Sequence, residues 1–191
     1  MPATNESLVN LLLKKKLSIT TVESCTGGAM ASAITDIPGA SEIFRQGFVV
    51  YANAAKIALA GTCGGTLGHE MAQTLQKYTV YSHEVADMLA LVGMQYSGAS
   101  IGIGVTGTLS REDPHNPGST IGHVYVTVMM HNKWSRLSER NLPKMQKLFV
   151  IPPLVQKGGR AKAKAYVVNG VCDLVEELIE LEDLREQDQS T

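Results

Sequence analysis

The chain has 191 residues, with 44% hydrophobic and 18% charged residues. That balance excludes wholesale disorder and is the size of one domain with extensions. Seventeen Lys+Arg against eighteen Asp+Glu give a net charge of −1, which argues against a dedicated nucleic-acid binder.

Three cysteines at wide spacing, Cys25, Cys63 and Cys172, make neither a disulfide framework nor a zinc pattern. The N-terminal residues lack the layout of a signal peptide, and no run approaches the ~18 unbroken apolar residues of a membrane helix. These features set the expectation of a soluble, cytoplasmic protein in a reducing compartment.

In chain order, Thr4 is placed to cap a first helix carrying Leu8, Leu11 and Leu12 and ending at Lys14-Lys15-Lys16, where lysines suit the helix dipole. Ser18–Ser24 is rich in β-branched residues and is predicted as a strand. It runs into Cys25-Thr26-Gly27-Gly28 and then a helical AMASAIT stretch. Gln46–Tyr51 is a second predicted strand, followed by a short helix to Ala60 with Asn53 as its cap. A glycine-rich link, Gly61–Gly68, precedes two helices, Glu70–Tyr78 and Ser82–Tyr96, the latter capped by Ser82. Ser100–Thr106 is a buried strand, and a long polar segment with two prolines, LSREDPHNPGST, follows it. Ile121–Met130 and Lys147–Ile151 are predicted strands, and Arg160–Arg185 a helix with a charged, fraying end.

Alternating helices and strands predict an α/β fold with helices on both faces of the sheet. The helix-free link from Thr106 to Ile121 suits an antiparallel neighbour, so the sheet is expected to be mixed.

Three clusters can carry chemistry. Glu23-Ser24-Cys25-Thr26-Gly27-Gly28 places a hydroxyl and two glycines between a strand and a helix, at the edge where open α/β sheets bind ligands. In Tyr51-Ala52-Asn53-Ala54-Ala55-Lys56, a lysine falls near the positive end of a helix, an awkward place for a cation and a suitable one for a general base. Thr106-Gly107-Thr108 ends a strand opposite the first cluster. Asp113 and His115 in the long loop are weaker candidates for ligand contact. Cys25 is a rival nucleophile to Ser24, although burial beneath the sheet is the plainer expectation. The five histidines, His69, His83, His115, His123 and His131, have no metal-ligand spacing.

Taken together, ESCTGG at 23–28, DIPGAS at 36–41, GFVVYANAAK at 47–56 and GVTGT at 104–108 resemble the CinA C-terminal domain family of competence/damage-inducible proteins. The resemblance runs from about residue 7 to residue 130 and resumes in RAKAKAYVVNGV at 160–171. Characterised members of that family are nicotinamide-nucleotide amidases. The resemblance implies a single domain with a three-layer α/β/α sandwich and a mixed, mostly parallel sheet. It implies hydrolysis of nicotinamide mononucleotide to nicotinic acid mononucleotide and ammonia, with Ser24 as nucleophile, Lys56 as base and Tyr51 as a third active-site residue. Thr26, Gly27, Gly28, Asn53, Thr106 and Gly107 match positions around the substrate. It implies no metal and no cofactor, a pyridine mononucleotide as the small-molecule partner, no nucleic-acid or membrane partner, and a homo-oligomer. The extra N-terminal domain of larger relatives is not expected in this chain.

On this reading, amides near Thr26–Gly28 hold the oxyanion. The substrate phosphate lies either at the helix start after Gly28 or against the Thr106–Ser119 loop. The loop departs from the family pattern: TLSREDPHNPGSTIGHVYV stands where relatives have an IAGPxGG stretch ending in KPVGTV. The segment 132–159 also diverges. The departure keeps two alternatives open, hydrolysis of another small amide or ester, and a nucleotide-binding module without catalysis.

Overall fold

The computed structural model describes residues 3–114, 116, 119–131 and 142–188. Five strands form one sheet: β1 (Ile19–Glu23), β2 (Phe44–Val49), β3 (Ile101–Gly107), β4 (His123–Met130) and β5 (Lys144–Val150), in spatial order β2-β1-β3-β4-β5. The β1 pairings with β2 and β3 are parallel, and the β3–β4 and β4–β5 pairings antiparallel. Four of the five strands therefore point the same way and β4 alone runs against them, the mixed sheet expected from the helix-free link after Thr106.

Helices α1 (Asn5–Lys15), α2 (Ala29–Thr35) and α7 (Arg160–Asp188) cover one face, and α3 (Asn53–Thr62), α4 (Leu67–Tyr78) and α5 (His83–Ser97) the other. The architecture is the three-layer α/β/α sandwich. A short helix, α6 (Pro153–Lys157), opens on a proline at its first position, where a missing N–H costs nothing, and leads into α7.

Local chemistry explains most boundaries. Thr4 caps α1 in a reciprocal capping box with Ser7, and Ser82 accepts a hydrogen bond from the Val85 amide at the start of α5. The lysines at the end of α1 are solvent-facing, with Lys15 bonded to Asp183 of α7 at 2.5 Å. β3 alternates glycine with bulky residues for a steric reason. Ile101, Ile103 and Val105 enter the core under α1, α2 and α7, whereas Gly102 and Gly104 face α5. A Cβ on Gly104 would lie 2.0 Å from the Ala86 carbonyl oxygen, so β3 and α5 pack backbone against backbone.

Some expectations shift. β2 begins at Phe44 and stops at Val49, leaving Tyr51 beyond the strand. Asn53 is the first helical residue of α3 and not its cap; the cap is Ala52, which makes no side-chain capping bond. β5 starts three residues before Lys147, and α6 lies between Ile151 and Arg160, where no element was predicted. His115, residues 132–141 of the divergent segment and the last part of the fraying tail lie outside the described residues.

Candidate active site

The topology places the site. β1 lies between two parallel neighbours, connected to β2 through α2 on one face and onward to β3 through helices on the other. The carboxyl ends of β1 and β3 are thus a topological switch point, where a crevice opens. The ladder extends one residue past the strand: Ser24 donates its amide to Val105, and Val50 donates to Glu23. A cleft of about 530 Å³ sits at this edge, lined by Ser24, Cys25, Tyr51, Asn53 and Lys56, by Tyr81, by Gly107 to Pro114, and by Arg160.

Ser24 is nearly buried, and Lys56 is only 1% exposed. The Lys56 ammonium donates to the carbonyls of Val50 (3.0 Å) and Tyr51 (3.3 Å), and no carboxylate is among its bonded partners. Burial pulls its pKa from 10.5 down to about 8. A neutral amine has two N–H donors and one lone pair. With both donors committed to carbonyls, the lone pair is left for the cleft.

Tyr51 behaves differently from the expectation. Its side chain is 64% exposed, and its hydroxyl accepts a 3.3 Å bond from Arg160. The group of Tyr51 that holds Lys56 is its main-chain carbonyl. Cys25 touches the cleft but is buried in the core cluster beneath the sheet, the plainer expectation for it. Burial pushes its thiol up to about 12, which keeps it protonated at neutral pH.

The helix start after Gly28 is closed to a ligand. The buried Glu23 carboxylate accepts from the amides of Gly28 (3.0 Å), Met30 (3.1 Å) and Ala31 (2.9 Å). The Gly27 amide is bonded to the Ser24 carbonyl, and that of Ala29 to Thr26. Gly27 (φ 60°) and Gly28 (φ 90°) supply the left-handed backbone that lets the chain fold back on Glu23. Of the amides near Thr26–Gly28 expected to hold the oxyanion, that of Gly27 is bonded to a carbonyl and that of Gly28 to the Glu23 carboxylate, which also takes the place of a phosphate at the helix start. Thr26, Gly27 and Gly28 shape the turn and lie outside the lining of the cleft. Thr106 lies outside it too: its hydroxyl donates to the Val80 carbonyl at 2.8 Å, tying the end of β3 to the chain before α5. Gly107 and Asn53 do line the cleft, as does Asp113.

Three site residues were missed from the sequence. Arg160, the first residue of α7, bridges the two walls, donating to the Tyr51 hydroxyl and, at 3.5 Å, to the Ser110 hydroxyl. A cation at a helix start is the same awkward placement that marked Lys56, and that signal would have found it. Tyr81 donates to Asp113 at 2.6 Å across 32 positions, and Glu23 caps α2 from inside the protein, though it precedes that helix by only a few residues. Among the described residues, no group of three or more His, Cys, Asp or Glu side chains is placed to hold a metal ion.

A three-layer sandwich around a mixed sheet, with a serine and a buried lysine in one cleft at its switch point, places the molecule among the α/β sandwich proteins. The chain belongs to the CinA C-terminal domain family, whose description matches residues 2–151. It is 31% identical over 170 residues to a putative competence-damage inducible protein of Thermoanaerobacter pseudethanolicus, covering 89% of this chain and 35% of that protein. It is 36% identical over 123 residues to a CinA-like protein of Chlorobaculum tepidum, covering 64% of this chain and 27% of the relative. The chain thus spans about a third or less of the length of these relatives. In fold it is similar to the competence/damage inducible protein CihA from Agrobacterium tumefaciens, with a TM-score of 0.71 at 24% identity over 93% of this chain and 97% of that one. No helix among the described residues is long and apolar enough to cross a membrane.

Proposed function

We propose that the chain is a serine amidohydrolase that releases ammonia from nicotinamide mononucleotide, yielding nicotinic acid mononucleotide. The observation that carries this reading is Lys56: a buried amine with a lowered pKa, in the same cleft as Ser24, its two donors turned to backbone carbonyls. A binding module has no use for such an amine, whereas a serine nucleophile requires a base of this kind.

In the proposed reaction, neutral Lys56 takes the proton of the Ser24 hydroxyl. The serine oxygen adds to the carboxamide carbon, and the tetrahedral intermediate carries the negative charge on the former carbonyl oxygen. As the intermediate collapses, the Lys56 ammonium gives its proton to the carboxamide nitrogen, the C–N bond breaks, and ammonia leaves. Water then adds to the acyl-enzyme with Lys56 again as base, and the acid departs as Ser24 regains its proton.

With the start of α2 sealed by Glu23, the substrate phosphate is assigned to the opposite side of the cleft. There Arg160, Arg111 and the Ser110 hydroxyl are available, and guanidinium groups match phosphate geometry. The experiment is ammonia release from nicotinamide mononucleotide by the wild type, Ser24→Ala and Lys56→Met. Turnover by the wild type alone supports the reading. Turnover retained in Ser24→Ala refutes it, and wild-type binding of the nucleotide without turnover would favour the binding module.

A further inference from the structure

The wall of the cleft facing Ser24 is the chain that leaves β3, and it is held in an unusual way. Its neck is main-chain bonded: the Thr108 amide donates to His123 and the Gly122 amide to Thr108, while the Thr108 hydroxyl donates to the Thr120 carbonyl at 2.5 Å. Leu109 is buried beneath it. Beyond the neck the chain is fastened by side chains: Arg160 reaches the Ser110 hydroxyl, and Asp113 gathers further bonds. The Asp113 carboxylate accepts from the Tyr81 hydroxyl at 2.6 Å and from the Asn116 side-chain amide at 2.7 Å. The Asp113 amide donates to the Ser119 hydroxyl at 3.2 Å, and the Asn116 amide to the Asp113 carbonyl.

Tyr81 itself is firmly rooted. The residue before it, Val80, is buried and takes the Thr106 hydrogen bond; the residue after it, Ser82, caps α5. Burial and the Asp113 carboxylate raise the pKa of the Tyr81 phenol, so it remains a donor throughout the neutral range. The stretch between Asp113 and the neck carries Ser110, Arg111 and Glu112, all of which line the cleft. This is also the stretch that departs from the family pattern, so inheritance of the catalytic turn does not account for it.

We propose that Tyr81 is the specificity-determining pin of the cleft: by gripping Asp113 from the α4–α5 connection, it presents Ser110, Arg111 and Glu112 to the part of the ligand remote from Ser24. Tyr81 is a positioning residue, not a catalytic one, and the inference rests on the cleft being the substrate site. The recognised chemistry is an anionic, phosphate-bearing group, for which Arg111 joins Arg160 across the cleft. The other carboxylate of this wall, Glu112, stands in the same lining and disfavours ligands that carry the anion elsewhere.

The test is Tyr81→Phe, which keeps the ring and removes one hydroxyl. Two readouts separate this inference from the amidase reading. Amide hydrogen exchange over residues 108–114 needs no substrate. It is expected to quicken by about tenfold, the scale of one hydrogen bond to a charged group, with the core strands unchanged. Steady-state hydrolysis of nicotinamide mononucleotide and of nicotinamide riboside, which lacks the phosphate, gives the second. KM for the mononucleotide is expected to rise about tenfold, with kcat within about twofold, so that preference for the phosphorylated substrate falls. Unchanged exchange, or a fall in kcat at constant KM, overturns the pin. If the wild type releases no ammonia from either compound, the amidase reading fails and the exchange comparison still decides the pin. Asp113→Asn, which keeps an acceptor for the phenol, is expected to fall between wild type and Tyr81→Phe; equality with Tyr81→Phe in an otherwise stable protein would also count against it.

Discussion

The two walls of the cleft are built on different principles. On one side, Ser24 and Lys56 are set by main-chain geometry: the β1 ladder runs into Ser24, Glu23 seals the start of α2, and two backbone carbonyls hold the lysine. On the other side, residues 108–114 are set by side chains, with Tyr81 on Asp113 and Arg160 on Ser110. Main-chain positions survive drift in sequence, because any residue supplies the same amide and carbonyl. Side-chain fastenings do not. In the proposed reaction the chemistry sits on the inherited wall and selectivity on the wall that departs from the family pattern, an arrangement that lets one reaction persist while substrates change.

The sharpest way to break this contrast is to attack the inherited wall. Ser24→Ala is expected to lower turnover by ~10⁴-fold or more, and Lys56→Met by ~10²–10⁴-fold, the range for a lost general base. Both variants should keep the wild-type circular dichroism spectrum, and stopped ammonia assays read the effect. Glu23→Gln comes next. An amide cannot accept on both arms, so at least one of the three buried N–H groups loses its partner. A loss of about 3 kcal/mol in urea unfolding is expected, together with a fall in kcat as the Ser24 turn loosens. A stability unchanged within error would show that the cap is dispensable.

The side of the cleft held by side chains should respond in binding alone. Arg160→Ala is expected to raise KM for the mononucleotide by about 10- to 100-fold with a smaller change in kcat, since it removes charge-assisted contacts remote from the reacting carbon. An equal loss in kcat would move Arg160 to the chemical side of the cleft.

The smallest effects are in pH dependence. In the proposed reaction the base is the neutral amine, so kcat/KM should climb with pH and level off above about 8. The same shift has a stability counterpart. Between about 8 and 10.5 the unfolded chain holds the lysine proton and the folded chain has released it, so this group makes stability rise with pH across that window. Cys25, raised to about 12, acts in the opposite sense above its ordinary value of 9.0. The Lys56 contribution is therefore read as the difference in melting temperature between wild type and Lys56→Met, and a difference flat across that window would contradict a lowered pKa.

Much of this was legible in order along the chain. Thr4 and Ser82 announced their helices because a cap is a local hydrogen bond, satisfied within three residues. The alternation in SIGIGVT announced a strand, although that its glycines make room for α5 became visible only when the helix was in place. Lys56 was marked by its place at a helix start. Asn53 was misjudged as a cap because its side chain lines the cleft, and Ala52 took the capping position without it. The short α6 was hidden by its length and by two adjacent prolines, which announce a break more loudly than a start.

What the sequence determined by itself was whatever depends on neighbours within a turn or a strand: the order of the five strands and of every helix but α6, the mixed α/β class, and Ser24 and Lys56 as residues to examine together. What only the tertiary structure decided was which groups meet from far apart. Tyr81 reaches across 32 positions to Asp113, and Arg160 across 109 to Tyr51. Glu23 is close to α2 in sequence, yet its occupation of the helix start depends on a turn that carries two left-handed glycines. Side-chain partners at such separations are chosen by packing of the whole sheet, which no local pattern of residues encodes.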